Sequence, residues 1–312
     1  MTSVPGEFGV VLRAVVNAAL RTVAAIALMV VATTAAAAAV SVRDDSGRIL
    51  ELPGPARRIV SLAPHITELL FAAGAGRAVV GAVAHSDFPP EANAIPRVGD
   101  AIGLDLERIV ALAPELVVTW PWTAPAQVEQ LRARGIPVYM VDAKSIDSIA
   151  DNMEKLSVLA GTSAEATPAV AQWRRRLRAL DARFRPSPPW RVFYQLGDAP
   201  MFTVGAPQLI TEAIRMCGGR NVFGTLAAPA PAINVEAVVA ASPQVIVAGA
   251  DNAVPPAWLS EWRRWPELPA VKAGNLFVVD ANLLHRSGPR FLDGVEQLCA
   301  AMDRARKVPD KR

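Results

Sequence analysis

Two cysteines, three histidines and a net charge of only +3 in 312 residues remove several explanations of this chain at once. No basic run carries interleaved aromatics, so the small positive balance does not describe a nucleic-acid surface. Glu7, Arg13 and Arg21 near the N-terminus already supply +1 of it. Neither HExxH nor GxSxG occurs, no carboxylate pair is placed for glycosidase chemistry, and Ser61 lacks the flanking glycines of a nucleophile elbow. His65, His85 and His285 could in principle complete a three-imidazole metal site with an open position, which keeps a metalloenzyme as the different-class alternative. No histidine-rich loop is present to recruit a free metal ion.

The N-terminal segment sets the compartment. Arg13 and Arg21 precede an apolar run at residues 22–31, and residues 32–39 offer several Ala-x-Ala cleavage sites. Residues 1–39 are therefore expected to be a secretory signal peptide, with the mature chain starting near Val40. A retained anchor is the competing account, since the apolar stretch approaches the ~20 residues that span a bilayer. No cysteine near the cleavage point invites lipidation, and no later stretch is long and apolar enough to span a membrane. Export puts Cys217 and Cys299 in an oxidising compartment. Both sit in helix-like apolar stretches (LITEAIRMCGG and GVEQLCAAM), so a Cys217–Cys299 disulfide is expected, with two buried thiols as the alternative. Neither cysteine is read as catalytic.

Past residue 52, short apolar runs alternate with helical patterns. Strands are expected at residues 58–62, 79–83, 116–120 and 138–142, and helices at 64–73, 106–113, 124–134 and 145–159. A second set follows Pro186-Ser187-Pro188-Pro189, with strands at 191–196, 245–248 and 276–280 and helices near 207–217, 235–241, 258–265 and 289–305. Short strands without a polar face, separated by helices, imply parallel sheets covered on both sides. Residues 163–184 contain no glycine and read as one helix, which Pro168 would place near its start. About 20 helical residues span ~30 Å, enough to join two lobes. The fold class is α/β, with two lobes of mainly parallel sheet (residues 40–160 and 187–312), a connecting helix within 161–186 and a ligand cleft between the lobes.

An internal repeat supports two lobes of one plan. LERIVALAPELVV at 106–118 aligns without gaps to VEAVVAASPQVIV at 235–247, a constant offset of 129. Asp105 and Asn234 precede the two segments as helix caps. Glu107 and Glu236 fall at matching positions in the first turns. A favourable carboxylate–dipole interaction of ~0.3–1 kcal/mol would account for them. They also suit a pair of acidic knobs, one per lobe, for a two-fold symmetric partner carrying arginines.

In open parallel sheets, ligands bind beyond the carboxyl ends of the strands. All three histidines lie just past expected strands: His65 after 58–62, His85 after 79–83, and His285 after 276–280. Trp120 and Trp122 close the strand at 116–120, and Asn282 and Arg286 flank His285. These seven are the candidate cleft residues, rich in aromatic and imidazole groups and poor in formal charge. Such a lining suits a large, mostly apolar ligand with amide or acid edges. Blander accounts exist: a loop histidine as hydrogen-bonded filler, Trp120 as core, Arg286 with Arg290 as a surface pair. Trp258, Trp262 and Trp265 recur at helical spacing and are expected to pack their own helix onto its lobe.

At RIVSLAPHITELLFAAGAG, HSDFPPEA, DLERIVALAPELVVTW, MCGGRNVF, NVEAVVAASPQVIV and HRSGPR the chain resembles the cobalamin-binding proteins of bacterial ABC importers. That group lies within a wider class that also binds haem and ferric siderophores, and the likeness runs from about residue 58 to 305. It implies a periplasmic solute-binding role rather than an enzyme, and two lobes joined by a rigid helix. It also implies no cofactor apart from cobalamin as the transported ligand, and the importer's transmembrane subunits as partner. By the same resemblance Trp120 lines the corrin site, Arg286 stands in the cleft, Glu107 and Glu236 dock onto the importer, and Cys217 and Cys299 are half-cystines. His85 stands where such binders have tyrosine, Ala101 and Ala230 where some have tryptophan, and Asn282 near a cleft aspartate. A monomer is expected. Haem or a ferric siderophore is the alternative ligand; a siderophore would usually call for several cleft cations, of which Arg286 is the main one.

Overall fold

The computed structural model describes residues 39–100, 102–183 and 188–307, so the expected signal peptide lies outside it except for Ala39. Among the described residues no helix is long and apolar enough to cross a membrane. The chain enters through an antiparallel hairpin, β1 (Val40–Arg43) and β2 (Ile49–Leu52). The first lobe then builds a parallel sheet from β3 (Ile59–Ser61), β4 (Val79–Ala82), β5 (Leu116–Thr119) and β6 (Val138–Met140), in the order β4-β3-β5-β6. The runs IVS and LVVT are buried throughout, as strands covered on both faces must be. The covering helices are α1 (Pro64–Ala72), α2 (Leu106–Ala111), α3 (Pro125–Ala133) and α4 (Ser148–Ala160). From β3 the chain moves to β4 on one side, and from β5 to β6 on the other. The switch point, where crevices form, therefore lies between the carboxyl ends of β3 and β5.

Helix α5 (Ser163–Arg183) joins the lobes. It begins at the expected residue 163, and Thr162 anchors that end. The Thr162 carbonyl accepts from the amides of Glu165 and Ala166, and its hydroxyl donates to the Ala73 carbonyl at 2.6 Å. Pro168 then sits inside the helix and withholds one backbone donor. Side chains tie the helix to both sides. Arg174 pairs with Asp151 (2.5 Å) and Glu154 (2.8 Å) of α4, and Arg176 with Asp293 (2.7 Å) and Glu296 (2.9 Å) of the second lobe. The buried Trp173 donates its indole N–H to the Pro289 carbonyl at 2.9 Å.

The second lobe uses β7 (Trp190–Asp198), β8 (Met201–Thr203), β9 (Gly219–Asn221), β10 (Val245–Ala250) and β11 (Leu276–Asp280). Its order is β11-β10-β7-β8, with β9 also on β7; only β8 runs antiparallel. The three-residue strands β8 and β9 carry too little pattern (MFT, GRN) to be read in advance. Helices α6 (Leu209–Met216), α7 (Val235–Ala241), α8 (Pro269–Lys272), α9 (Ala281–Leu284) and α10 (Phe291–Lys307) surround the sheet. The tryptophan-bearing helix is 3₁₀ rather than α, over Ala257–Arg264 after Pro255-Pro256. A disulfide joins Cys217, at the end of α6, to Cys299 in α10. One continuous core draws on both lobes and on α5, including Ile59, Leu69, Trp173, Tyr194, Val247 and Leu298, while the outer face of each sheet has its own smaller cluster.

The repeat holds at atomic detail. Asp105 accepts from the Arg108 amide and Asn234 from the Ala237 amide, both at 2.9 Å. Ala113 and Ser242, at the same offset, both adopt left-handed backbone (φ 44° and 48°) directly before a proline. The α region is disfavoured for a pre-proline residue, so both helices stop at the same place.

Candidate ligand cleft

Between the lobes, at the carboxyl ends of β3, β5 and β11, lies a cavity of about 250 Å³. His65, Trp120 and Trp122 line it from the first lobe, and Leu209, His285 and Ser287 from the second. Pro64 occupies the first position of α1, where its missing N–H is harmless, and delivers His65 to the mouth of the switch point. The His65 ring meets Trp120 edge-on, centroids 5.0 Å apart at 70°. Trp122 lies 6.5 Å from Trp120 and is largely exposed. His65 is 6% exposed. None of the described residues hydrogen-bonds its ring, although it faces the cavity. Burial first, and the Arg286 charge second, push its pKa down to about 4, so the imidazole is neutral at pH 7.

The opposite wall holds its histidine differently. His285 closes α9, and its Nε2 is hydrogen-bonded to Tyr194 Oη at 3.0 Å. Tyr194 is fully buried in β7, and burial followed by the Asp280 charge raises its pKa. Desolvation lowers the pKa of His285, against the opposing pull of Asp251 and Asp280, although one side of the ring stays open. Gly249 of β10 is required here: a Cβ at that position would collide with both His285 Nε2 and Tyr194 Oη.

Asn282 and Arg286 do not line the cavity. They belong to a polar seam where the lobes meet. Arg286 donates to Asp87 (2.7 Å) and Glu68 (3.2 Å) from the first lobe and to Asn282 Oδ1 (3.0 Å) from its own. Arg290 adds a two-pronged contact to Glu68, at 2.9 and 2.6 Å, and lies over the Phe88 ring at 3.9 Å. The Glu68 side chain is only 1% exposed, and two guanidinium groups reach across from the other lobe to donate to its oxygens. Glu68, Asp87 and Arg290 were not among the expected site residues. Glu68 did carry a signal: it is a carboxylate on the otherwise apolar PHITELLFA helix, three positions after His65.

The remaining candidates stand apart. His85 is exposed in a left-handed turn (φ 62°) and lines no part of the cavity. The three histidines do not converge, and among the described residues no group of three or more His, Cys, Asp or Glu could hold a metal ion. Glu107 and Glu236 are exposed in the first turns of α2 and α7. Ala230 is exposed, and Ala101 lies outside the described residues. Trp262 is buried and donates its indole N–H to Gln195 at 2.8 Å, in keeping with a packing role. A larger hollow of about 980 Å³ lies against the far end of α1, lined by Phe71, Arg77, Phe88 and Glu165. It is remote from the strand ends that form a crevice, so size does not outweigh position.

Sequence and structure comparisons agree on the kind of molecule this is. The profile described as periplasmic binding protein matches residues 59–283. The vitamin B12-binding protein of Vibrio cholerae is 36% identical over 261 residues, which cover 83% of this chain and 94% of that protein. The crystal structure of the periplasmic vitamin B12-binding protein BtuF of Vibrio cholerae matches with a TM-score of 0.74 at 36% identity, covering 81% of this chain and 99% of the other. The periplasmic haem-binding protein RhuT from Roseiflexus sp. RS-1 matches at 0.69 and 26% identity, covering 80% and 98%. With two lobes, a joining helix and a cleft at the strand ends, the chain belongs to the periplasmic binding protein family.

Proposed function

We propose that this chain is the solute-binding component of an ABC importer, taking cobalamin or a related corrinoid in the interlobe cleft and delivering it to the transmembrane subunits. The observation that carries the reading is the likeness to a vitamin B12-binding protein along nearly its whole length, joined to a cleft walled by Trp120, Trp122 and two imidazoles. The cavity is smaller than the ~300–1,000 Å³ of sites that engulf a drug-sized ligand. A macrocycle would therefore be gripped between the lobes with much of its rim outside, which suits a carrier that must hand it on. The protein acts in the periplasm as a monomer, after removal of residues 1–39. No cofactor takes part, and the transported ligand is the only small molecule required.

Calorimetric titration of the mature chain with cyanocobalamin, and with haemin in parallel, tests this. One-to-one cobalamin binding with weak haemin binding is expected. Tight haemin binding with a Soret shift would move the protein to haem uptake, a reading favoured only by the neutral imidazoles of the cleft and the likeness to RhuT. Glu107 and Glu236, exposed at equivalent places on the two lobes, are the docking pair. Reversing both, as Glu107→Arg with Glu236→Arg, leaves ligand affinity unchanged and abolishes uptake in cells; surviving uptake would remove them from the interface.

A further inference from the structure

The segment MCGGRNVF at residues 216–223 lines no part of the cleft cavity. It walls a separate hollow of about 610 Å³ at the amino end of β7, the opposite end of the sheet from the cleft. Arg191, Arg215 and Arg220 line this hollow, against one carboxylate, Glu212. Arg191 of β7 and Arg220 of β9 are register partners on adjacent parallel strands. Strands lie ~4.8 Å apart and such partners share a face, so two like charges are held close together. Arg191 commits its Nε to the Ser242 carbonyl at 2.8 Å, and Arg215 reaches Glu212 only at 4.0 Å. Glu212 already accepts the Ile146 amide at 2.9 Å. Among the described residues nothing hydrogen-bonds or pairs with the exposed Arg220 side chain.

The floor beneath these cations is fixed. Asn221, 7% exposed, donates to the Val204 carbonyl and to the Thr211 hydroxyl, both at 2.8 Å, and that hydroxyl donates to the Gly205 carbonyl at 2.7 Å. The Cys217–Cys299 disulfide and the bond from Arg306 to the Cys217 carbonyl (2.7 Å) hold the segment from behind. Cations are favourable at helix carboxyl ends, which accounts for Arg215 on α6 and for Arg191 beside the end of α7. It does not account for Arg220, which stands on a strand. We propose that the hollow is an anion site for a small molecule bearing two or more phosphate groups, distinct from the ligand carried in the cleft. Three guanidinium groups outnumber the single carboxylate, and the planar fork of arginine matches phosphate oxygens two at a time. A concave space of this size lies within the ~300–1,000 Å³ of small-molecule sites. A soluble polyphosphate compound and the headgroup of an anionic lipid share this chemistry.

The test is calorimetric titration of the mature chain with tripolyphosphate at an ionic strength of about 0.15 M, where screening over ~8 Å suppresses loose charge attraction. One-to-one binding is expected, weakened at least about tenfold by Arg220→Ala and by Arg215→Ala. Arg220→Lys keeps the charge without the fork and should fall between. Arg263→Ala removes an exposed cation outside the hollow and should bind like the unmodified protein. The substituted side chains are all exposed, so each variant should fold, which circular dichroism checks. No heat with tripolyphosphate overturns the site, as do equal losses in Arg263→Ala and Arg220→Ala, which would leave non-specific charge attraction only. Competition by cyanocobalamin also overturns it, by placing the anion in the cleft. Sedimentation with phosphatidylglycerol vesicles separates the two sources. Vesicle binding that tripolyphosphate displaces and Arg220→Ala abolishes assigns a lipid headgroup; tripolyphosphate binding without vesicle binding assigns a soluble phosphate compound.

Discussion

The two lobes share a plan but present their histidines to the cleft in opposite ways. In the first, His65 is buried and stacked edge-on against Trp120, and none of the described residues hydrogen-bonds its ring. In the second, His285 is more open and tied to Tyr194, over a glycine that leaves room for that bond. One wall holds its imidazole by packing against an aromatic ring. The other satisfies its polar atom internally. The difference shows how a duplicated architecture becomes an asymmetric site: the sheets repeat, while the residues just past the strands do not.

The lobes are also unequal in what they contribute to the seam. The first supplies the buried carboxylate Glu68, and the second supplies both cations, Arg286 and Arg290. Removing the carboxylate is the most damaging way to disturb the pairing, because two guanidinium groups lose their shared partner in a partly buried place. Glu68→Ala should lower unfolding free energy by about 3–5 kcal/mol, measured by denaturant melts. A loss under about 1 kcal/mol would mean that water or Asp87 replaces Glu68 readily, and that the lobes are held by the shared core and α5 instead.

Acid tests whether the contrast extends to protonation, since burial lowers the pKa of both His65 and His285 to about 4. The folded-state pKa of His65, about 4, lies below its unfolded value of 6.5. The unfolded chain therefore binds the proton first, and the stability present above pH 6.5 is lost progressively as pH falls towards 4. From pH 7 to 5 that amounts to roughly 2 kcal/mol. Comparing the unmodified protein with His65→Gln across this window isolates the contribution, and parallel pH profiles would show that His65 protonates without penalty.

Much of this was legible before any coordinates, and the failures have physical causes. Apolar runs such as LVVT and the capping residues Asp105 and Asn234 encode local structure, so the sheets, the helices and their offset of 129 came through. That His65 and Trp120 lie together followed from strand-end logic, since both flank the switch point. The seam was hidden because Arg286 and Arg290 find Glu68 across 218 and 222 residues, a distance at which no pattern operates. His85 shared the strand-end signature but sits in an exposed left-handed turn, an outcome decided by turn geometry rather than by strand position. The start of α5 was legible at residue 163, but the tertiary contact that anchors it, Thr162 to Ala73, was not.

The smallest expected effect tests the second wall alone. Tyr194→Phe removes the hydroxyl bonded to His285 Nε2 while keeping the buried ring, so only the hydrogen bond changes. The expected loss is about 1 kcal/mol, seen as a fall of a few degrees in Tm. The variant also makes the second wall resemble the first, with an imidazole that no described side chain hydrogen-bonds. A loss too small to measure would mean that water replaces the hydroxyl at His285 Nε2, and that the asymmetry of the two walls does not rest on Tyr194.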